Sequence, residues 1–93
     1  MKVRDSVQWF TERMEKTLRK NDYKGGWERC DFEYLLGRLN DELGELNELT
    51  KDEILDYKPS KSRAKKVTHE CLDIANFAMM IADNLRAMAG GER

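Results

Sequence analysis

The chain has 93 residues, 38% charged and 40% hydrophobic, with one proline and two tryptophans, which suffices for one domain and not two. Seventeen basic against eighteen acidic side chains leave a formal charge of −1, so any site for a polyanion must be local rather than a global field. Cys30 and Cys71 make no CxxC or CxxxC pair, no secretory signal opens the chain, and the longest apolar stretch, Ile74 to Ala82, is about half a bilayer span; a cytoplasmic, membrane-free protein without structural zinc is expected.

Abundant Leu, Glu, Lys, Arg, Met and Ala, with few β-branched residues, predict an all-α fold of three helices in one domain, residues 1–93. Val7, Phe10, Met14 and Leu18 recur at helical spacing and predict a first amphipathic helix from about Ser6 to Lys20. Asn21, Asp22, Gly25 and Gly26 then break it, and Asp31 is a candidate N-cap for a second helix from about Phe32 to Leu49. Phe32, Leu35, Leu36, Leu39, Leu43, Leu46 and Leu49 line one face of that helix, which is expected to be buried. Thr50 and Glu53 read as a capping box for a short extra turn before Pro59. Ser60 or Ser62 can cap a third helix, which runs to about Met88 and is ended by Gly90 and Gly91. Three helices of this length bury too little surface alone, so a helical bundle of the four-helix type completed by homodimerisation is expected.

The second helix carries Glu42 and Glu45, and the third Glu70 and Asp73, each pair three residues apart. At about 100° per residue, such positions lie on one helix surface, so two helices side by side would make a cage of four carboxylates. Hard oxygen donors with one open side suit Mg²⁺, which keeps waters and shares itself with substrate phosphates. Acidic pairs at this spacing are ordinary on solvated helices. Here, however, Glu70 falls inside the apolar arc of Val67, Cys71, Ile74, Ile81 and Leu85, and Asp73 and Asn76 interrupt the most apolar stretch. A charge in such a place needs a partner or a metal.

The pattern ExxE, a spacer, then ExxD, within LNDELGELNEL and HECLDIANFAMMIADNL, resembles the MazG-like nucleotide pyrophosphohydrolases of the all-α NTP pyrophosphatase superfamily, over nearly the whole chain. The resemblance implies a homodimer or homotetramer and Mg²⁺ on Glu42, Glu45, Glu70 and Asp73. It also implies hydrolysis of a nucleoside triphosphate to the monophosphate and pyrophosphate. The short Cys-Pro-Trp-Asp loop of typical MazG domains is missing, with Gly25, Gly26 and Trp27 in the comparable region, so no base preference carries over. The superfamily also holds dUTP and dCTP pyrophosphatases and an enzyme acting on phosphoribosyl-ATP.

Within that reading, Glu45, furthest from the leucine stripe, is the candidate general base, and Trp27 the candidate stacking surface for the base, with Trp9 and Phe77 behind it. Lys58, Lys61, Arg63, Lys65 and Lys66, in the basic segment around Pro59, with Lys24 and Arg38, are candidate phosphate contacts, Lys61 and Lys65 foremost in the segment; Asn76 is a candidate substrate contact. Gly37 and Gly44, inside the second helix, suggest close approach of a packing partner, or at Gly44 of a phosphate. Di-iron and EF-hand sites lack their motifs, since the one histidine, His69, has no Glu three residues before it and no DxDxDG run occurs. A stable nucleic-acid partner is not expected from the balanced charge. The rival reading is a noncatalytic helical dimer, a regulatory or binding subunit whose acids pair with lysines.

Overall fold

A computed structural model of the chain describes residues 1–51 and 58–92. Three helices carry it: α1 (Asp5–Lys20), α2 (Phe32–Thr50) and α3 (Lys61–Met88), with a single 3-10 turn at Asp22–Lys24. Among the described residues there is no strand, and no helix is long and apolar enough to cross a membrane.

The helix ends follow from local chemistry. Asp5 sits in the first turn of α1 and Arg19 and Lys20 in its last, each complementing the helix dipole. Gly25 takes φ 91°, a left-handed conformation that glycine adopts without steric cost, and turns the chain out of the 3-10 segment. Asp31 occupies the N-cap position of α2 in extended backbone, but its side chain makes no cap hydrogen bond; its carbonyl accepts from Leu35 N at 3.1 Å. Ser60, of the two candidate serines, caps α3, its Oγ accepting from Arg63 N at 3.1 Å. Gly90, at φ 89°, closes α3 as expected. Thr50 ends α2 with its hydroxyl donating to Leu46 O at 2.8 Å; Glu53 and the expected extra turn lie outside the described residues.

The long α3 is the spine. Both α1 and α2 pack on it and not on each other, which leaves a trough between them. Two apolar residues, Leu35 and Leu72, and three polar ones, Glu42, Asn76 and Asn84, are the buried residues among those described. The expectation of a wholly buried leucine face is corrected here: Leu35 is enclosed, Leu39, Leu46 and Leu49 are half-buried, and Phe32, Leu36 and Leu43 are 51%, 38% and 44% exposed. The reason is geometric, because α2 meets a single neighbour and one helix contact covers only about half of a stripe this wide. At Gly37 and Gly44 a Cβ would meet nothing within 4 Å among the described residues, so the close approach expected there does not come from this chain's own described helices.

Candidate metal centre

Helix periodicity turns Glu42 and Glu45 of α2 toward Glu70 of α3 where the two helices pack. One carboxylate oxygen from each of the three lies within 4.8 Å of the others. Glu42 is buried, Glu70 half-buried and Glu45 exposed, so the cluster opens to solvent on the Glu45 side. The expected cage of four closes as a group of three with Asp73 beside it. Asp73 is half-buried one turn along α3, where His69 Nε2 stands 3.5 Å from its Oδ2.

Packing acids together inside a protein holds protons on them. Burial, then hydrogen bonding to Glu70 and Glu45, then the charges of Glu45 and Asp73 push Glu42 up from 4.5 to about 8. Glu70 is raised too, mainly by burial, although the hydrogen bond from Glu42 acts the other way, which makes Glu42 the proton holder of the pair. Asp73 is raised by burial, against the opposing influence of His69. Glu70 Oε2 is buried without a hydrogen-bond partner, an acceptor with nothing on it. Three carboxylates, one of them carrying an orphaned oxygen, offer hard oxygen donors and no nitrogen or sulfur, a set that fits a cation such as Mg²⁺.

Arg38 braces the cluster. Its Nη2 donates to Glu42 Oε1 at 3.1 Å, its Nη1 to Asp41 Oδ2 at 3.2 Å, and its guanidinium lies 5.4 Å from the Phe77 ring centroid. Beside it the trough between α1 and α2 forms a cavity of about 630 Å³, walled by Trp27, Tyr34, Phe77, Arg38 and Lys24 with Glu42 and Asp73 at its edge. Trp27 thus shares a cavity wall with Glu42 and Asp73, although it lies fifteen positions from Glu42 in sequence. It is held there by its own Nε1, which donates to Asp83 Oδ2 at 3.0 Å, and by Asn84 Nδ2, which donates to the Trp27 carbonyl at 3.0 Å. The loop is therefore folded back onto α3 by the same tryptophan that walls the cavity.

The other candidates fall elsewhere. Lys65 lines a separate cavity between α1 and α3, and Lys61 stands exposed in the first turn of α3, on the wall of neither. Asn76 is buried beneath α1, its Nδ2 donating to Met14 O at 3.4 Å, and lines neither cavity, so its amide ties α1 to the spine. Tyr34, Cys30 and Asp83 were not singled out from the sequence. Tyr34 joins the cavity wall from α2 and Cys30 from the loop, while Asp83, outside that wall, holds Trp27 as its acceptor; no local spacing announces any of the three. No protein-family model, curated protein or solved structure matches the chain.

Proposed function

We propose that the chain is a Mg²⁺-dependent nucleoside triphosphate pyrophosphohydrolase of the MazG-like kind, working in the cytoplasm as a homodimer or homotetramer. The observation that carries this reading is the gathering of Glu42, Glu45 and Glu70 oxygens within 4.8 Å beside an aromatic-walled cavity. Glu42, Glu45 and Glu70 would hold the metal, with Asp73 completing the set. Bound there, Mg²⁺ supplies charge neutralisation of the phosphate oxygens and polarisation of the attacked phosphorus.

The chain's own groups do the rest. Arg38 keeps Glu42 turned into the cluster through its 3.1 Å hydrogen bond. Trp27 and Phe77 offer flat faces for a nucleobase, and Lys24 a cation near the cavity mouth. Glu45, the exposed member, would take the proton of the water that attacks the α-phosphorus on whichever of its carboxylate oxygens the metal does not engage. The water oxygen bonds to that phosphorus, the bond to the β-phosphate bridging oxygen breaks, and pyrophosphate leaves with the electron pair. The exposed apolar stripe of Phe32, Leu36 and Leu43 supports the dimer, because a second copy laid against it would build a four-helix bundle.

The test is product analysis with Mg²⁺ and a panel of ribo- and deoxyribonucleoside triphosphates, with phosphoribosyl-ATP added, separating pyrophosphate from orthophosphate. Pyrophosphate formation that is lost in Glu42→Gln, with an unchanged helical circular dichroism spectrum, is expected. No turnover with any substrate, and no Mg²⁺ effect on melting, would leave the noncatalytic dimer as the reading.

A further inference from the structure

The cavity between α1 and α3, about 870 Å³, has an apolar floor of Trp9, Leu49 and Leu72. Its rim is basic. Arg13, Lys16 and Lys20 come from one face of α1, and Lys65 and Lys66 from the start of α3, while Glu70 is the sole acid among its lining residues. Among the described residues none of these four lysines is in an ion pair. Arg13 lies over the Trp9 ring, 5.1 Å from its centroid, which fixes its guanidinium at the rim.

We propose that this groove binds the phosphate chain of a nucleotide, with Arg13, Lys16, Lys20, Lys65 and Lys66 as its cations. The proposal deepens the hydrolase reading and rests on it for the class of ligand. Charges of one sign above low-dielectric walls focus their field into the cleft, so the groove attracts an anion that the whole chain, at net charge −1, does not. Position adds polarity. Thr17, Lys20 and His69 border both cavities, Glu70 borders this one, and Glu42 and Asp73 border the other, so the carboxylates stand between the basic groove and the Trp27 wall. A ligand with its base at Trp27 and its terminal phosphates in the groove crosses the carboxylates with its inner phosphates. A nucleic-acid strand fits less well, since its backbone would have to run on past Glu70 and the acids behind it.

The probe is sodium tripolyphosphate, titrated calorimetrically into the full chain with chelator present so that no metal contributes. Wild type is compared with Arg13→Gln/Lys16→Gln, which alters this groove alone, with Lys65→Gln/Lys66→Gln, and with Lys51→Gln as a charge control outside it. Circular dichroism checks that each variant is folded. Loss of one charge-assisted phosphate contact weakens binding roughly tenfold, so each double variant is expected to lose at least that, with a shallower salt dependence, and Lys51→Gln almost nothing. Equal affinity in all four proteins, or no binding to wild type, overturns the proposal. So does an oligothymidylate that outcompetes tripolyphosphate, which would make the groove a nucleic-acid surface. The two readings separate cleanly. Groove-dependent binding by a protein that hydrolyses no nucleotide keeps the groove and removes the hydrolase, whereas hydrolysis with unchanged KM in Arg13→Gln/Lys16→Gln keeps the hydrolase and removes the groove.

Discussion

Glu42 couples folding to pH in a direction opposite to that of most carboxylates. Its folded value, about 8, lies above its ordinary 4.5, so the native state keeps a proton that the unfolded chain has already lost in that window. The metal-free protein is therefore most stable below the ordinary value and loses stability as pH rises toward 8. With chelator present, the melting temperature is expected to fall between about pH 5 and about pH 8, and Glu42→Gln, neutral at both, to flatten the curve. A cation bound at Glu42 would replace the proton, so on the proposed reading the Mg²⁺-induced rise in melting temperature should be larger at the alkaline end; an equal rise at both ends would remove Glu42 from the ligand set. Trp27 allows a sharper separation of structure from binding. Trp27→Phe removes the 3.0 Å bond to Asp83, which keeps Arg86 at 2.7 Å, and preserves a flat ring. A loss of about 1–2 kcal/mol is expected in chemical denaturation, with little change in nucleotide KM, while Trp27→Ala should raise KM several-fold.

The helices differ in what holds them. The α3 helix starts on a side-chain cap, and Ser60→Ala is expected to cost about 1 kcal/mol, lowering the melting temperature by roughly 4–8 °C without affecting a metal site ten residues along. In α2 the two internal glycines weaken the helix with no packing contact in return among the described residues of a single chain. Gly37→Ala and Gly44→Ala should each stabilise the protein by up to about 1 kcal/mol, read by denaturant midpoint. Destabilisation by either alanine would place a partner against that face. The lengths explain the division of labour: α2 carries two of the three clustered carboxylates and the exposed Phe32, Leu36 and Leu43, whereas α3 is the longest helix and packs against each of the other two.

As an isolated chain the molecule has a small interior in which polar groups outnumber apolar ones among the buried residues described. Apolar burial of that extent contributes little, because Leu35 and Leu72 together are worth only about 3–6 kcal/mol against the entropy of ordering the chain. In the proposed dimer, a second copy covering the exposed Phe32, Leu36 and Leu43 would add to that burial. Leu36→Asp/Leu43→Asp is expected to shift sedimentation from dimer to monomer and to lower the melting temperature, and the wild-type melting temperature to rise with protein concentration. A wild type that sediments as a monomer at all concentrations would refute the bundle.

Much of this was legible in the sequence because helix propensity and apolar periodicity are local. The spans of α1, α2 and α3, the Ser60 cap and the glycine stop all follow from residues within a turn or two of each other. The acids at Glu42, Glu45 and Glu70 were legible for the same reason, since a three-residue step puts two carboxylates on one helix surface whatever lies opposite. What tertiary structure decided is everything that depends on which surfaces meet. Asp73 stands beside the cluster rather than in it, Trp27 is fastened to α3 by Asp83 and so walls the cavity that Glu42 borders, Asn76 is spent on holding α1, and α1 contributes cations to a groove that its own sequence does not announce. Periodicity fixes the angle at which a side chain leaves its helix but carries no information on the neighbour it finds, and that neighbour determines burial, proton affinity and the shape of the cavities.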